Sequence, residues 1–186
     1  MEIKPWKILK SETAFKNRYW NILQETVELP DGTAYSGFFV NDRPGGAMVF
    51  AVTEEGKVVM NRQYKHGVRE IVTEFAIGGL GEGEDPLLAA QRELMEETGY
   101  GGGAWEPLGV FSPNPTTARG RFHAFLAKGV RKVGDPLPDP REIIETFLAD
   151  PKDVPGMVRR GEIASLAAVS IAFVALMRLE ALDSGA

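Results

Sequence analysis

Cysteine is absent from these 186 residues, which excludes disulfides, thiolate metal sites and a thiol nucleophile. Histidine is almost absent. His66 and His123 are the only two, and no metal-ligand spacing joins them, so packing or a surface position is their expected use. Positive charge is not in excess: 21 Lys and Arg stand against 26 Asp and Glu, for a net charge of -5. A broad electrostatic grip on nucleic acid or on an anionic membrane is therefore not expected, although local cations remain free to hold small phosphates. Long apolar runs are lacking too. The longest, LAAVSIAFVALM from Leu166 to Met177, is too short to cross a bilayer and is followed by Arg178 and Glu180; it reads as a buried C-terminal helix. The opening MEIKPWKILKSETAFK has no apolar core of the signal-peptide kind, so a cytoplasmic location is expected.

What is present is the composition of a globular protein with a sizeable core, 44% hydrophobic and 25% charged. YWNILQETVEL and TAYSGFFV flank Pro30-Asp31-Gly32, a turn in which Pro presets φ and Gly allows a positive one, so the pair reads as a hairpin. RPGG at 43–46 marks a boundary. AMVFAVT and KVVMNRQY then form a second hairpin around Glu54-Glu55-Gly56, apolar enough for a covered sheet. EIVTEFAIGG reads as one further strand. WEPLGVF, RFHAFLA and EIIETFLA follow as strand candidates, separated by a glycine loop at 101–103 and a proline-rich loop at 134–140. Strands mixed with two covering helices predict an α/β sheet layered between helices.

The helix predicted after GGLGEGED carries the chemistry. Asp85 is placed to cap it, Pro86 suits its first turn, and Gly99 terminates it. Leu87, Ala90 and Leu94 fall at helical spacing and turn to the core. Glu93, Glu96 and Glu97 sit at i, i+3 and i+4, where like charges are neighbours and repel by ~0.2–0.5 kcal/mol per pair. A solvated acidic face is the ordinary explanation of such a cluster; a bound cation is the other.

The frame around the cluster decides between them. From Gly78 to Tyr100 the chain reads GGLGEGEDPLLAAQRELMEETGY, which resembles the Nudix box, G-x5-E-x7-R-E-U-x-E-E-x-G-U with U apolar or aromatic. Gly78, Glu84, Arg92, Glu93, Leu94, Glu96, Glu97, Gly99 and Tyr100 fill every fixed position. The resemblance implies a Nudix-type α/β/α sandwich with a mixed β-sheet. It also implies Mg²⁺, with Mn²⁺ as a substitute, held by Glu93, Glu97 and the backbone carbonyl of Ile77, with Glu96 also near the metal. Arg92 then orients the carboxylates by pairing with Glu84 or Glu96.

WKILKSETAFKNRYWNILQETVELPDGTAYSGFFV, VVMNRQYKHGVRE and EFAIGG are similar to ADP-ribose pyrophosphatase-like members of that superfamily. In that subgroup the first region builds a homodimer, so residues 1–45 are expected to be an N-terminal antiparallel β region for dimerisation, and residues 46–186 the hydrolase domain. Arg62 and Gln63 match a stretch near the nucleotide and are substrate-binding candidates, with an Arg62–Glu74 ion pair as the competing reading; Arg119 is a candidate for substrate phosphate. The subgroup's E-x-P-A-G is here Glu74-Phe75-Ala76-Ile77-Gly78, without the proline. Ala118 stands where members carry an acidic residue that contacts the terminal ribose. Of the paired acids in the subgroup's catalytic loop only Glu142 remains, Pro140 standing in for the first. Glu142 reads as metal ligand, general base or a loop carboxylate without a role, a catalytic contribution being favoured; Asp139 and Glu145 are weaker candidates.

The reading that follows is a Mg²⁺-dependent hydrolase of a nucleoside diphosphate linked to another moiety, ADP-ribose or a related nucleotide sugar being favoured. Its catalytic set is Glu96, Glu142 and Arg92, and its partners are a small nucleotide and a second copy of the chain, with neither nucleic acid nor membrane. NADH, a dinucleoside polyphosphate or a noncanonical nucleoside triphosphate is the alternative substrate, and a catalytically silent nucleotide-binding regulator the alternative class.

Overall fold

The computed structural model describes residues 3–184, with side chains described through residue 180. The described strands are β1 (Lys7–Lys16), β2 (Asn21–Glu28), β3 (Ala34–Asn41), β4 (Gly45–Thr53), β5 (Val58–Lys65), β6 (Glu70–Glu74), β7 (Ala76–Gly79), β8 (Tyr100–Gly101), β9 (Ala104–Phe111), β10 (Arg121–Lys132) and β11 (Ile144–Ala149). The helices are α1 (Pro86–Thr98), α2 (Val154–Arg159) and α3 (Leu166–Ser184). None is long and apolar enough to cross a membrane.

The chain divides into two compact units. The first holds the residues up to Gly45 together with Ser112–Arg121; the second holds Gly46–Phe111 and the remainder from Phe122.

In the first unit β1, β2 and β3 form an antiparallel sheet with β2 central. The β2–β3 turn forms at Pro30-Asp31-Gly32: the Gly32 amide donates to the Leu29 carbonyl, and the Asp31 carboxylate accepts from the Thr33 amide at 2.9 Å. Val27 and Val40 are buried, whereas all ten residues of β1 are exposed. Segment 112–121 joins this unit through its backbone and one arginine. The Asn41 amide donates to the Thr117 carbonyl, the Arg119 amide to the Asn41 carbonyl, and the Arg119 guanidinium pairs with Glu25 at 2.7 Å and Asp42 at 2.8 Å.

The second unit is built on an eight-stranded sheet whose main path runs β11-β5-β4-β10-β8, with β6 beside β5, β7 beside β4 and β9 beside β10. The period-two alternation of its central strands explains the layering. Met48 and Phe50 of β4, Val58 and Met60 of β5, and Ala124 and Leu126 of β10 enter one core with residues of α2 and α3. Ala47, Val49 and Ala51, Val59, and Phe125 and Ala127 enter the other core, with Ala89, Ala90 and Leu94 of α1. Helices therefore cover both faces, the α/β/α arrangement expected.

Three details differ from the sequence reading. EIVTEFAIGG is two strands: β6 pairs with β5 from Glu70↔Lys65 to Glu74↔Asn61, and β7 pairs with β4 from Ala76↔Val49 to Gly79↔Gly46. Phe75 lies between them, fully buried with its ring 5.0 Å from that of Phe50, so the chain changes partner strand around a core anchor. Among the described residues the covering helices are three, because VPGMVR folds as the short α2 with Val154 and Met157 buried. Finally, α3 is buried along one stripe only. Ala168, Ile171, Ala172 and Ala175 face the sheet, while Leu166, Phe173 and Met177 are exposed, since one helix face is all a single sheet surface can cover.

Candidate active site

Helix α1 is fixed at both ends by local chemistry. The Asp85 carboxylate accepts from the amides of Leu87 (2.9 Å) and Leu88 (3.1 Å), satisfying two of the donors left open in the first turn. At the other end Gly99, with φ of 70°, donates its amide to the Met95 carbonyl; that left-handed conformation costs glycine least. Ala89, Ala90 and Leu94 bury the apolar side, and the helix turns its carboxylates along the adjacent surface.

Arg92 gathers most of them. Its Nε and Nη2 donate to the two oxygens of Glu84 at 2.9 and 3.0 Å, its Nη1 donates to Glu93 at 2.8 Å and Glu96 at 3.1 Å, and its Nη2 also reaches the Gly79 carbonyl at 3.2 Å. Glu84 further accepts from the Gly81 amide at 2.7 Å. The bidentate arginine pair is the geometry that uses a guanidinium fork fully, and it holds the Glu84 carboxyl below the usual carboxylate range. The three acids in turn raise the Arg92 guanidinium further.

Glu93 and Glu97 have the opposite electrostatics. Burial raises Glu93, outweighing its contact with Arg92. Glu97, 4% exposed, is pushed up to about 8, first by burial, then by the charge of Glu93, with Glu74 and Glu142 adding to it and Lys65 opposing. Glu142 also raises Glu93, so Glu142, on the exposed stretch before β11, lies within electrostatic range of both helix acids. Glu96 belongs to the same helix face but remains more open, its side chain 43% exposed.

Strand β5 supplies the other wall. Asn61, Gln63 and Lys65 alternate onto the α1 side of the sheet. Asn61 donates through Nδ2 to Glu97 Oε2 at 2.8 Å; Gln63 donates through Nε2 to Glu74 Oε1 at 2.8 Å, and Lys65 pairs with the same oxygen at 2.9 Å. Strand β7 runs nearby with Gly78 against Glu93: a Cβ built on Gly78 would stand 1.8 Å from the Glu93 carboxyl carbon. The carbonyl of Ile77 immediately precedes that glycine.

These surroundings fit a hard divalent cation. Glu97 is buried beside further negative charge, with a neutral amide as its hydrogen-bond donor, and such a set is relieved by a cation with oxygen preference. Among the described residues, no group of three or more His, Cys, Asp or Glu is already disposed as a ligand set, while Arg92 holds Glu93 and Glu96.

The remaining candidates fall elsewhere. Arg62 does not pair with Glu74. It stands on the other face of β5, 3.8 Å from Glu145 and over the Phe147 ring at 4.4 Å, because the Asn61↔Glu74 register puts Glu74 beside the odd-numbered residues. Gln63 is buried against Glu74. Arg119 lies in the first unit with Glu25 and Asp42. Asp139 is bound by Arg141 at 2.6 Å. Asn61 was missed from the sequence, although a lone amide inside the apolar VVMN run is the signal that could have marked it.

The fold is an α/β/α sandwich with acids gathered along α1, Glu97 buried among them. Residues 42–169 match the NUDIX domain, and the chain belongs to that family. Residues 6–41 match the nucleoside diphosphate sugar hydrolase N-terminal domain. The chain is 38% identical over 126 residues to the methanol dehydrogenase activator of Bacillus methanolicus, covering 68% of each chain. It is 36% identical over 122 residues to the ADP-ribose pyrophosphatase of Bacillus subtilis, covering 66% of this chain and 65% of that one. A crystal structure described as an ADP compounds hydrolase superposes with a TM-score of 0.83 at 20% identity, over 100% of this chain and 98% of the other, a likeness of fold.

Proposed function

We propose that the protein is a Nudix pyrophosphohydrolase that splits the diphosphate bridge of a nucleoside diphosphate joined to a sugar, ADP-ribose being the favoured substrate. The observation that carries this is Glu97, a buried carboxylate beside Glu93 with Glu142 in range, on a helix matching every fixed position of the Nudix box. The nucleoside diphosphate sugar hydrolase N-terminal domain matched by residues 6–41 and the ADP-ribose pyrophosphatase of Bacillus subtilis support the substrate class.

In this reading Glu93, Glu97 and the Ile77 carbonyl hold the cation, Mg²⁺ or in its place Mn²⁺, with Glu96 beside them. The cation supplies Lewis-acid neutralisation of the diphosphate charge. Arg92 keeps Glu93 and Glu96 oriented through Glu84. Glu142 or Glu96 removes the proton of the attacking water. Attack at one phosphorus breaks the P–O–P bridge and leaves a nucleoside monophosphate and a sugar phosphate. Gln63, on the α1 side of β5, remains a proposed nucleotide contact; Arg62 on the opposite face and Arg119, paired with Glu25 and Asp42 in the first unit, take no part in this reading.

A homodimer and a cytoplasmic location complete the proposal. The first is supported by β1, an edge strand exposed along its length and carrying Ile8, Leu9 and Phe15; the second by a sequence in which no disulfide can form. A regulator that binds a nucleotide without cleaving it is the second reading, favoured by the relative named as an activator of another enzyme.

Product chromatography after incubation with Mg²⁺ and ADP-ribose, nucleotide sugars, NADH and dinucleoside polyphosphates tests the choice. AMP and ribose 5-phosphate from ADP-ribose as the best substrate support the first reading. Tight binding without any product supports the second.

A further inference from the structure

Two acids face β5 across the α1 side of the sheet, and the strand treats them differently. Glu74 receives Gln63 and the Lys65 ammonium on one oxygen, at 2.8 and 2.9 Å, so its charge is matched internally. Glu97 receives the neutral Asn61 amide, at 2.8 Å on Oε2, and its charge is left for a cation.

Asn61 is itself held. It is fully buried in the middle of the sheet, between β6 and β11 through Glu74 and Thr146 as register partners. The Thr146 hydroxyl donates to Asn61 Oδ1 at 3.3 Å, with the Glu97 carbonyl as a second acceptor at 3.5 Å. That bond orients the amide with Nδ2 toward Glu97. A side chain locked on a strand, donating to one oxygen of a helix carboxylate, fixes the rotation of that carboxylate and leaves its other oxygen for the site.

We propose that Asn61, oriented by Thr146, is a positioning residue that fixes the Glu97 carboxylate for cation binding. The inference rests on the pyrophosphohydrolase reading, in which Glu97 is a ligand. A partner of this kind sets ligand orientation and basicity, and its loss costs about 10–100-fold in metal affinity.

The test is direct Mn²⁺ binding to the full chain, followed by the electron paramagnetic resonance signal of free Mn²⁺, for Asn61→Leu, Thr146→Val, Glu97→Gln and the double variant Asn61→Leu/Glu97→Gln. Leucine keeps the heavy-atom branching of Asn61 and removes both its donor to Glu97 and its acceptor from Thr146. The expected result is a weakening of at least about tenfold in Asn61→Leu, a smaller one in Thr146→Val, and no further loss when Asn61→Leu is added to Glu97→Gln. A purely structural role would not produce that coupling. Binding within about twofold of wild type in Asn61→Leu, or losses that simply multiply in the double variant, would overturn the inference. Where circular dichroism shows Asn61→Leu unfolded, Thr146→Val decides: weakened binding supports the inference, and unchanged binding overturns it. If Glu97→Gln binds Mn²⁺ as the wild type does, the metal-site reading falls and the inference with it; if only Asn61→Leu and Thr146→Val are silent, the inference alone falls.

Discussion

Gly78 and Glu93 share one volume: the carboxyl carbon of Glu93 lies 1.8 Å from where a Cβ on Gly78 would stand, and both carboxylate oxygens lie at 2.1 Å. The strand β7 thus comes bare against the helix acid. Gly78→Ala is expected to leave the fold standing, because the displaced atoms are the far end of a flexible side chain, and to push Glu93 out of place. Turnover should fall by roughly 100-fold with a raised Mg²⁺ requirement, a ligand displacement being of the size of an outer-shell loss or more. Steady-state kinetics across Mg²⁺ concentration checks this; a variant with wild-type Mg²⁺ dependence would remove Glu93 from the site.

Arg92 makes a fork that lysine lacks. Five donor contacts to Glu84, Glu93, Glu96 and Gly79 cannot be reproduced by one ammonium. Arg92→Lys should therefore cost about 1.5–3 kcal/mol of stability, the range of hydrogen bonds to charged groups, read as a lower urea midpoint in EDTA. An unchanged midpoint would show that the fork is decorative.

Protonation gives a third prediction. Glu97 is raised in the folded chain from 4.5 to about 8. A group raised in this way contributes stability that is fully present below its unfolded value and is lost as pH climbs through the folded one. The metal-free protein should lose stability between about pH 4.5 and pH 8, its Tm falling by ~2–4 °C for each kcal/mol. Glu97→Gln should flatten that slope, and saturating Mg²⁺ should do the same by binding the ionised form. Scanning calorimetry in EDTA at several pH values measures it, and a flat wild-type profile contradicts the burial of an ionisable Glu97.

Much of this was readable in the chain. The capping pattern Asp85-Pro86 with Gly99 places α1 to the residue, and the spacing of Glu93, Glu96 and Glu97 places them on one face. Arg92 pairs with both of the acids the sequence offered it. What escaped depends on contacts between segments distant in sequence. Asn61 meets Glu97 only because β5 lies beneath α1; Phe75 splits a run of strand residues because Phe50, 25 positions earlier by residue number, receives it. Arg62 was open between two partners until the β5–β6 register set Glu74 on the opposite face. Segment 112–121 joins the first unit through Glu25 and Asp42, which no local pattern announces.

The N-terminal sheet supplies a fourth prediction. An edge strand with Ile8, Leu9 and Phe15 exposed is a pairing surface unless covered. Sedimentation equilibrium should give twice the monomer mass, and Leu9→Asp with Phe15→Asp should reduce it to one chain. A wild-type monomer at micromolar concentration would contradict the proposed dimer.

The most direct test of the central claim compares wild type with Glu97→Gln for release of AMP and ribose 5-phosphate from ADP-ribose over a Mg²⁺ titration. The account predicts saturable, Mg²⁺-dependent product from the wild type and at least about a hundredfold less from the variant, whose circular dichroism should match. Equal turnover in both would contradict the assignment of Glu97 and, with it, the site built around α1.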